Sequence, residues 1–333
     1  MKPKLICLTP VRNEAWALDA FLTATSLWAD HIIVADQNST DGSREIYKKY
    51  PKVKMIENDG SELDENYRMN ILYAEARKIE GEKALFMLDA DEIFTANYSE
   101  TADWQKIINA KAGDIFQFHW AELNSDATCY NEPNFWYQWA FYDDGTMPVA
   151  GKIHVARVPW PQNSTPNEIF VTDFKVMHLP YLNTERVKSK SRFYQCYIWL
   201  YQNTAKPIKA VQLYRGYANP EKFEPNTPVP DCFFANYKAQ NIDLLKLIDF
   251  SKTFCWQDEQ VLEYFKQKGT KYFSKLDIWD KTWLENLSKI AGKEISDPRN
   301  IFDKLLHFYL RKTQKYSKIK IVRGIDKILK KII

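Results

Sequence analysis

Strand-like and helix-like segments alternate four times within about the first ninety residues, and few folds accept that pattern. Lys4–Leu8 reads as the first strand. Ala15–Trp28 reads as a helix, with Trp16, Leu18, Phe21, Leu22 and Leu27 near helical spacing. His31–Ala35 is a second strand, followed by a run of turn formers in which Ser39 or Thr40 caps a helix carrying Arg44, Ile46 and Tyr47. Val53–Ile56 is a third strand, Glu65–Ile79 a long helix, and Ala84–Leu88 a fourth strand. This order predicts an α/β protein: a Rossmann-like, mostly parallel sheet flanked by helices.

The fourth strand is apolar without interruption, as a strand buried on both faces must be, and it runs into Asp89-Ala90-Asp91-Glu92. If the extended backbone continues, residues two apart point the same way. Asp89 and Asp91 then project together from the carboxyl end of the sheet, where open α/β sheets bind ligands. A hard divalent cation completed by substrate phosphate oxygens would relieve their repulsion. The plainer alternative is that the acids solvate a strand end, and an Asp-x-Asp by itself does not decide between the two.

Composition excludes several classes. Hydrophobic residues make up 45% and charged residues 27%, ordinary for a globular protein. Aromatics reach 15%, which suits sugar rings and ordinary cores alike. The cysteines, Cys7, Cys129, Cys196, Cys232 and Cys255, are scattered and odd in number, so a reducing compartment is expected rather than a disulfide scaffold or zinc site. Leu5–Leu8 is too short for a secretory signal, and no apolar run reaches membrane-spanning length. A cytoplasmic protein is expected.

The net charge of +3 conceals an asymmetry. From Arg311 to Ile333 nine basic residues face a single acid, Asp326, so this stretch carries +8 and the remainder −5. Ile319, Ile321, Val322, Ile325, Ile328, Leu329, Ile332 and Ile333 recur at three- and four-residue intervals among the lysines. A basic amphipathic helix of this kind lies on an anionic membrane surface or docks on the protein body. No nucleic-acid-binding module accompanies it, so no nucleic acid is expected as partner.

After Asp91 the pattern changes. Trp104–Ala110 reads as helix and Ile115–Trp120 as strand. Residues 121–175 read as irregular, with strands at Phe135–Tyr142, Ile153–Val158 and Phe174–His178. Helical patterning returns at Thr184–Gln202, Ile242–Phe250, Glu259–Lys268, Asp280–Ile290 and from Ile301 onward. Asn219–Pro230, with four prolines, is the best linker candidate. The expected organisation is a first half over 1–120, a second over 121–235, and a helical region over 236–333.

Four motifs in order give the chain a resemblance to family 2 glycosyltransferases of the GT-A fold. The start Leu5–Glu14, with Thr9-Pro10-Val11-Arg12-Asn13-Glu14, resembles the family's opening strand and nucleotide loop. Residues 36–43, Asp-Gln-Asn-Ser-Thr-Asp-Gly-Ser, resemble its acidic turn. Arg68-Met69-Asn70 resembles its Arg/Lys-Asn element, and Leu88–Glu92 its Asp-x-Asp. The resemblance implies a nucleotide-sugar donor such as a UDP-sugar, and a divalent metal, Mn2+ or Mg2+, on Asp91. It puts Asp89 and Ala90 against the ribose or a metal-bound water, and Thr9, Pro10, Arg12, Glu14, Asp36, Asn38 and Arg68 around the nucleotide. Arg12 as a solvated loop charge, Asp36 as an Asx-turn acceptor and Arg68 paired with Asp64 are the structural alternatives.

His178 or His154, each ending a strand-like run, would complete the metal shell, although a lone histidine in an apolar run is often a satisfied core residue. Several relatives follow the first of these histidines with Glu; here Val155 stands there. The general base is then sought at Asp144 or Asp143, with Glu122 behind them, against the alternative that Asp144-Gly145 is simply a turn. Arg186, Lys188, Lys190 and Arg192 follow His178 at helix-like spacing; one of them could assist leaving-group departure, and most are expected to be solvated. The expected activity is inverting transfer to a hydroxyl of a cell-surface glycan or lipid-linked acceptor, peripheral on the inner face of the cytoplasmic membrane. A sugar-nucleotide nucleotidyltransferase is a rival, but such enzymes hold a triphosphate on a Gly-rich loop, and no Gly precedes Gly42. A non-catalytic carbohydrate- or membrane-binding protein is the other.

Overall fold

The computed structural model describes residues 2–60, 64–147, 156–160, 165–201, 223–251, 255–313, 316 and 318–332. Two compact units divide the chain: Met1–Leu182 with Pro225–Lys252, and Asn183–Glu224 with Thr253–Ile333.

The first unit begins as the alternation predicts. Strands β1 (Lys4–Val11), β2 (His31–Asp36), β3 (Val53–Glu57) and β4 (Lys83–Met87) alternate with helices α1 (Ala15–Thr25), α2 (Ser43–Tyr47) and α3 (Glu65–Arg77), and the short helix α4 (Ala102–Ile108) follows. β1 lies between β2 and β4, and β2 pairs with β3, all in parallel. The sheet is completed by β6 (Ile115–Phe118), β9 (Tyr137–Tyr142) and β10 (Glu168–Phe170) in the order β10-β6-β9-β4-β1-β2-β3. β9 runs antiparallel to both β4 and β6.

The uninterrupted apolar strands are explained by cores on both faces. Leu5, Cys7, Ala84, Phe86 and Leu88 join α1 in one core. Ile6, Leu8, Leu85 and Met87 join Met69, Leu72, Tyr73 and Ala76 of α3 in the other. The period-2 alternation of an extended chain thus divides each run between two hydrophobic layers.

A second sheet forms where the sequence reads as irregular. It holds β5 (Glu92–Phe94), β7 (Trp120–Leu123), β8 (Cys129–Asn131), β11 (Val176–His178) and β12 (Thr227–Pro228), in the order β12-β8-β7-β11-β5. The expected strand Ile115–Trp120 is interrupted at His119, which separates β6 in the first sheet from β7 in the second. Part of the expected linker is edge strand β12, paired with β8. Of the expected strand Ile153–Val158, residues 153–155 lie outside the described residues, and Arg157 and Val158 form a bend. Ile242–Phe250 is not a helix. Asn241 turns left-handed at φ 61°, only Leu244–Leu247 form a 3₁₀ turn, and the Asp249 amide donates to the Trp16 carbonyl at 2.7 Å.

The second unit is helical among its described residues. It contains α5 (Thr184–Tyr201), and, after the short α6 (Ala235–Ala239) of the first unit, α7 (Trp256–Lys268), α8 (Lys281–Ala291), α9 (Ile301–Thr313) and α10 (Lys320–Ile332). Two buried ion-pair groups organise it. Arg192 bonds Asp258 at 3.1 Å, lies 4.6 Å from the Trp283 ring centre, and shares Asp258 with the Trp283 indole N–H. Arg192 and Arg186 are therefore buried, where the spacing alone suggested solvated charges. Asp277, its side chain fully buried, accepts two 2.6 Å bonds from Arg311, with Arg299 at 3.5 Å and His307 at 3.6 Å. Arg311 is thus neutralised internally, although by position it counts among the basic residues of the tail.

Removing one partner from a buried charge cluster leaves the others uncompensated. Asp277→Ala is expected to destabilise the second unit by about 3 kcal/mol, read as a lower urea midpoint in its unfolding transition. An unchanged midpoint would show that the cluster contributes nothing to stability.

Candidate active site

The parallel strands deliver their following loops to one edge. The register sets Val11 beside Asp36 and Leu8 beside Met87, and the Leu88 amide donates to the Leu8 carbonyl at 3.1 Å. Thr9, Pro10 and Arg12, the loop from Asp36 to Ser43, and Asp89–Glu92 therefore meet at the carboxyl edge.

The first two loops are stitched together by small polar side chains. The Asn13 amide donates to Ser39 Oγ at 2.9 Å, the Thr40 amide to Asn13 Oδ1 at 2.7 Å, and the Glu14 amide to Ser43 Oγ at 3.1 Å. Asp41 accepts from the Ala15 amide at 2.9 Å and from the Ser43 amide at 3.0 Å. Asn13 and Asn38 both adopt left-handed backbone, φ 55° and 52°, a conformation asparagine tolerates better than most residues.

Asp36 is fully buried. Its oxygens accept from the Ser39 amide at 3.0 Å, Arg44 Nε at 2.8 Å and the Tyr47 hydroxyl at 2.9 Å, with Arg44 Nη2 at 2.7 Å. Ser39 and Arg44 meet one oxygen and Tyr47 the other, so Asp36 holds the loop in shape from inside the fold. Burial, with the charge of Asp36, raises the Tyr47 phenol far above its ordinary range, and it remains a donor. Arg68 faces Glu65 at 3.7 Å; Asp64, its anticipated partner, instead caps α3 by accepting from the Tyr67 amide at 2.9 Å. Glu14 accepts from the Trp16 indole at 2.7 Å, and Thr9 is fully buried.

The acidic motif lies just beyond β4. The strand ends at Met87, and the Glu92 amide donates to the Asp89 carbonyl at 3.0 Å, closing a turn. Asp89 and Asp91 consequently reach different partners instead of projecting together. Asp89 Oδ2 pairs with Arg157 Nη2 at 2.6 Å. Glu92, fully buried, accepts from Arg157 Nη1 at 2.5 Å, the Asp89 amide at 2.8 Å and the Trp120 indole at 3.1 Å. Burial pushes the Glu92 carboxyl up to about 7, against the pull of Arg157. Burial also disfavours the Arg157 charge, but Asp89 and Glu92 outweigh it and hold the guanidinium protonated. Arg157 further lies 5.7 Å from the Trp139 ring centre, and its carbonyl accepts from the Tyr73 hydroxyl.

Asp91 turns the other way. Its Oδ2 lies 4.0 Å from His178 Nε2, and its carbonyl accepts from the Leu179 amide at 3.0 Å. His178 stacks on Trp120 with ring centres 4.2 Å apart and planes 5° from parallel. Adjacent ligands of one ion, each bonded at about 2.1 Å, lie about 3 Å apart, so the two side chains would close by about 1 Å to share a cation. Among the described residues no group of three or more His, Cys, Asp or Glu side chains is placed to hold a metal. An ion held by one or two protein ligands and completed by substrate phosphates needs none. The residues thus fit the expected cation at Asp91 and His178. His154 lies outside the described residues.

The register also sets Glu92, His178, Glu122 and Asn131 in one row across the second sheet, where neighbours share a face. Asn131 donates to Glu122 at 2.8 Å, while burial raises the Glu122 carboxyl above the usual carboxylate range.

Asp143 and Asp144 are not brought to this site. Antiparallel β9 carries them to the amino end of β4, where the Asp143 amide donates to the Lys83 carbonyl at 2.9 Å. Six residues at a strand's rise separate Lys83 from Asp89, about 20 Å. Asp143 is held there by Arg77 at 2.8 Å, and Asp144 is an exposed turn residue accepting from the Thr146 amide at 2.9 Å. Arg157 went unrecognised in the sequence because no motif marks it, and its partners lie 65 and 68 positions away. Its only local signal is an arginine beside a histidine-bearing apolar run.

Residues 7–102 match the family model described as Glycosyl transferase family 2. The observed sheet, mostly parallel with helices on both faces, is the GT-A-type architecture the motifs implied. No curated protein matches the sequence. Among solved structures, GalNAc-T7, crystallised with UDP, GalNAc and Mn2+, is similar at 12% identity and TM-score 0.37, over 80% of this chain and 58% of that one. Glucosyl-3-phosphoglycerate synthase from Mycobacterium tuberculosis, also solved with Mn2+ and UDP, is similar at 12% identity and TM-score 0.26, over 38% of this chain and 47% of that one. A 4-diphosphocytidyl-2C-methyl-D-erythritol synthase is similar at 14% identity and TM-score 0.30, over 43% and 75%.

The Arg157 cluster gives a direct test. Arg157→Ala leaves Glu92 buried without its cation and is expected to destabilise the first unit by about 3 kcal/mol. Adding Glu92→Gln should recover most of that loss in the urea midpoint. Equal stability of wild type and Arg157→Ala would show that the ion pairs are dispensable.

Proposed function

We propose that this chain is an inverting, divalent-metal-dependent glycosyltransferase. It moves a sugar from a nucleotide-diphosphate donor, a UDP-sugar foremost, to a hydroxyl of a cell-surface glycan or lipid-linked acceptor. One observation supports this above the others: the family 2 match spans the segment whose loops meet the acidic turn at the carboxyl edge. In this reading Thr9, Pro10, Arg12, Glu14 and Asn38 face the nucleotide, and Asp36 holds their loop in shape. Arg68 reaches the base or a phosphate, and Ala90 is the small residue that lets the backbone approach the ribose. Asp91 and His178 hold the cation, while Asp89 turns toward the ribose beside Arg157. When bound, the cation supplies Lewis-acid stabilisation to the departing diphosphate.

The attacking hydroxyl needs a general base within hydrogen-bond reach. Glu122 takes that role here, in the same row as His178, with a carboxyl raised by burial toward the range where a base works well near neutral pH. The reading further includes peripheral attachment to the inner face of the cytoplasmic membrane through α10. The product would be a surface glycan such as lipopolysaccharide or capsule. Among the described residues no helix is long and apolar enough to cross a membrane.

Calorimetry and turnover test the assignment together. UDP is expected to bind in a manganese-dependent manner, and Asp91→Ala to abolish that binding. Glu122→Gln is expected to leave UDP affinity within about twofold while lowering sugar transfer by about 10²–10⁴-fold, the usual worth of a general base. Binding of a nucleoside triphosphate in preference to UDP would favour nucleotidyl transfer instead.

A further inference from the structure

The two C-terminal helices differ from ordinary surface helices in which side chains they turn outward. On α9, Asp303, Leu306, His307 and Leu310 are buried, and the opposite side carries Ile301, Phe302, Leu305 and Phe308. These four are 78%, 54%, 62% and 60% exposed. On α10, Ile321, Ile325 and Ile328 are exposed at i, i+4 and i+7 spacing. The helices contact each other through Leu306, Leu310, Tyr309 and Leu329. Their apolar stripes are thus not consumed by that contact.

The charges are sorted the opposite way. Residues 301–333 contain two acids, Asp303 and Asp326. Asp303 is buried against Lys275 at 2.6 Å, and Asp326 is buried with the Tyr309 hydroxyl at 3.4 Å. Lys304, Lys312, Lys318, Lys320, Arg323, Lys327 and Lys331 are exposed. Lys312 lies 5.7 Å from the Phe308 ring centre, a long cationic stem beside an exposed aromatic. Anions inward, cations outward and exposed aliphatic and aromatic stripes together match one partner, the headgroup layer of an anionic bilayer.

From this sorting we infer that the lipid contact is a two-helix face, with α9 inserting Phe302, Leu305 and Phe308 alongside the basic terminal helix. The inference rests on the membrane reading above and extends it to α9, most of which lies before the basic stretch that carried the signal in the sequence.

The test uses the full chain and flotation with vesicles of phosphatidylcholine, with or without about one third phosphatidylglycerol. The wild type should float with the anionic vesicles and stay behind with the neutral ones. The combined Phe302→Ser, Leu305→Ser and Phe308→Ser variant removes exposed side chains only, so its melting curve should match the wild type. It should lose at least about tenfold in partitioning although α10 is intact. Three results would overturn the inference: undiminished binding by the variant, equal binding to neutral vesicles, or a wild type that ignores vesicles and dimerises through this face in light scattering. A parallel UDP titration separates the two readings, because flotation without nucleotide binding removes the transferase assignment and leaves the lipid face standing.

Discussion

The geometry of the carboxyl edge depends on one guanidinium. Three carboxylates follow within five residues of a buried strand, and Glu92 has no access to solvent. Without a counterion their repulsion and desolvation would oppose the turn that carries them. Arg157 answers both by bonding Asp89 and Glu92 at once. The Trp120 indole and the Asp89 amide complete the Glu92 shell. The cluster therefore has an internal cation for its inner half and turns Asp91 outward toward His178. An acidic turn of uniform charge becomes two environments, one fixed by the fold and one suited to an exchangeable ion.

The same logic separates supporting residues from contacting ones elsewhere on the edge. Asp36 has the chemistry of a ligand-binding carboxylate, yet Ser39, Arg44 and Tyr47 take up its oxygens. In the proposed function it acts on a nucleotide only through the loop it shapes, which includes exposed Asn38. The stitched pair of loops is a preorganised wall, and such preorganisation lowers the cost of ordering the site around a ligand.

Legibility in the sequence tracked the range of the interactions. The first four strands and three helices were readable because each core face is drawn from period-2 and period-3.6 patterns within one segment. The edge location of Asp91 followed from the same reading. The second sheet was readable only at β11, which falls within the expected Phe174–His178: its strands are two to four residues long, interleaved with Pro and aromatic residues, and stabilised by partners up to about a hundred positions away. Asp143 and Asp144 look like a site by residue type, and only the antiparallel sense of β9 sends them to the far edge. Arg192 and Arg311 looked like solvent-facing cations and are instead internal partners of Asp258 and Asp277. Local charge pattern does not reveal which cations a fold will neutralise.

Anomalous scattering from manganese in crystals grown with UDP would address the central claim most directly. A single peak bonded to Asp91 and His178 is expected, with Arg157 still bridging Asp89 and Glu92. A peak seated between Asp89 and Glu92 with Arg157 expelled, or no peak at the acidic turn at all, would contradict it.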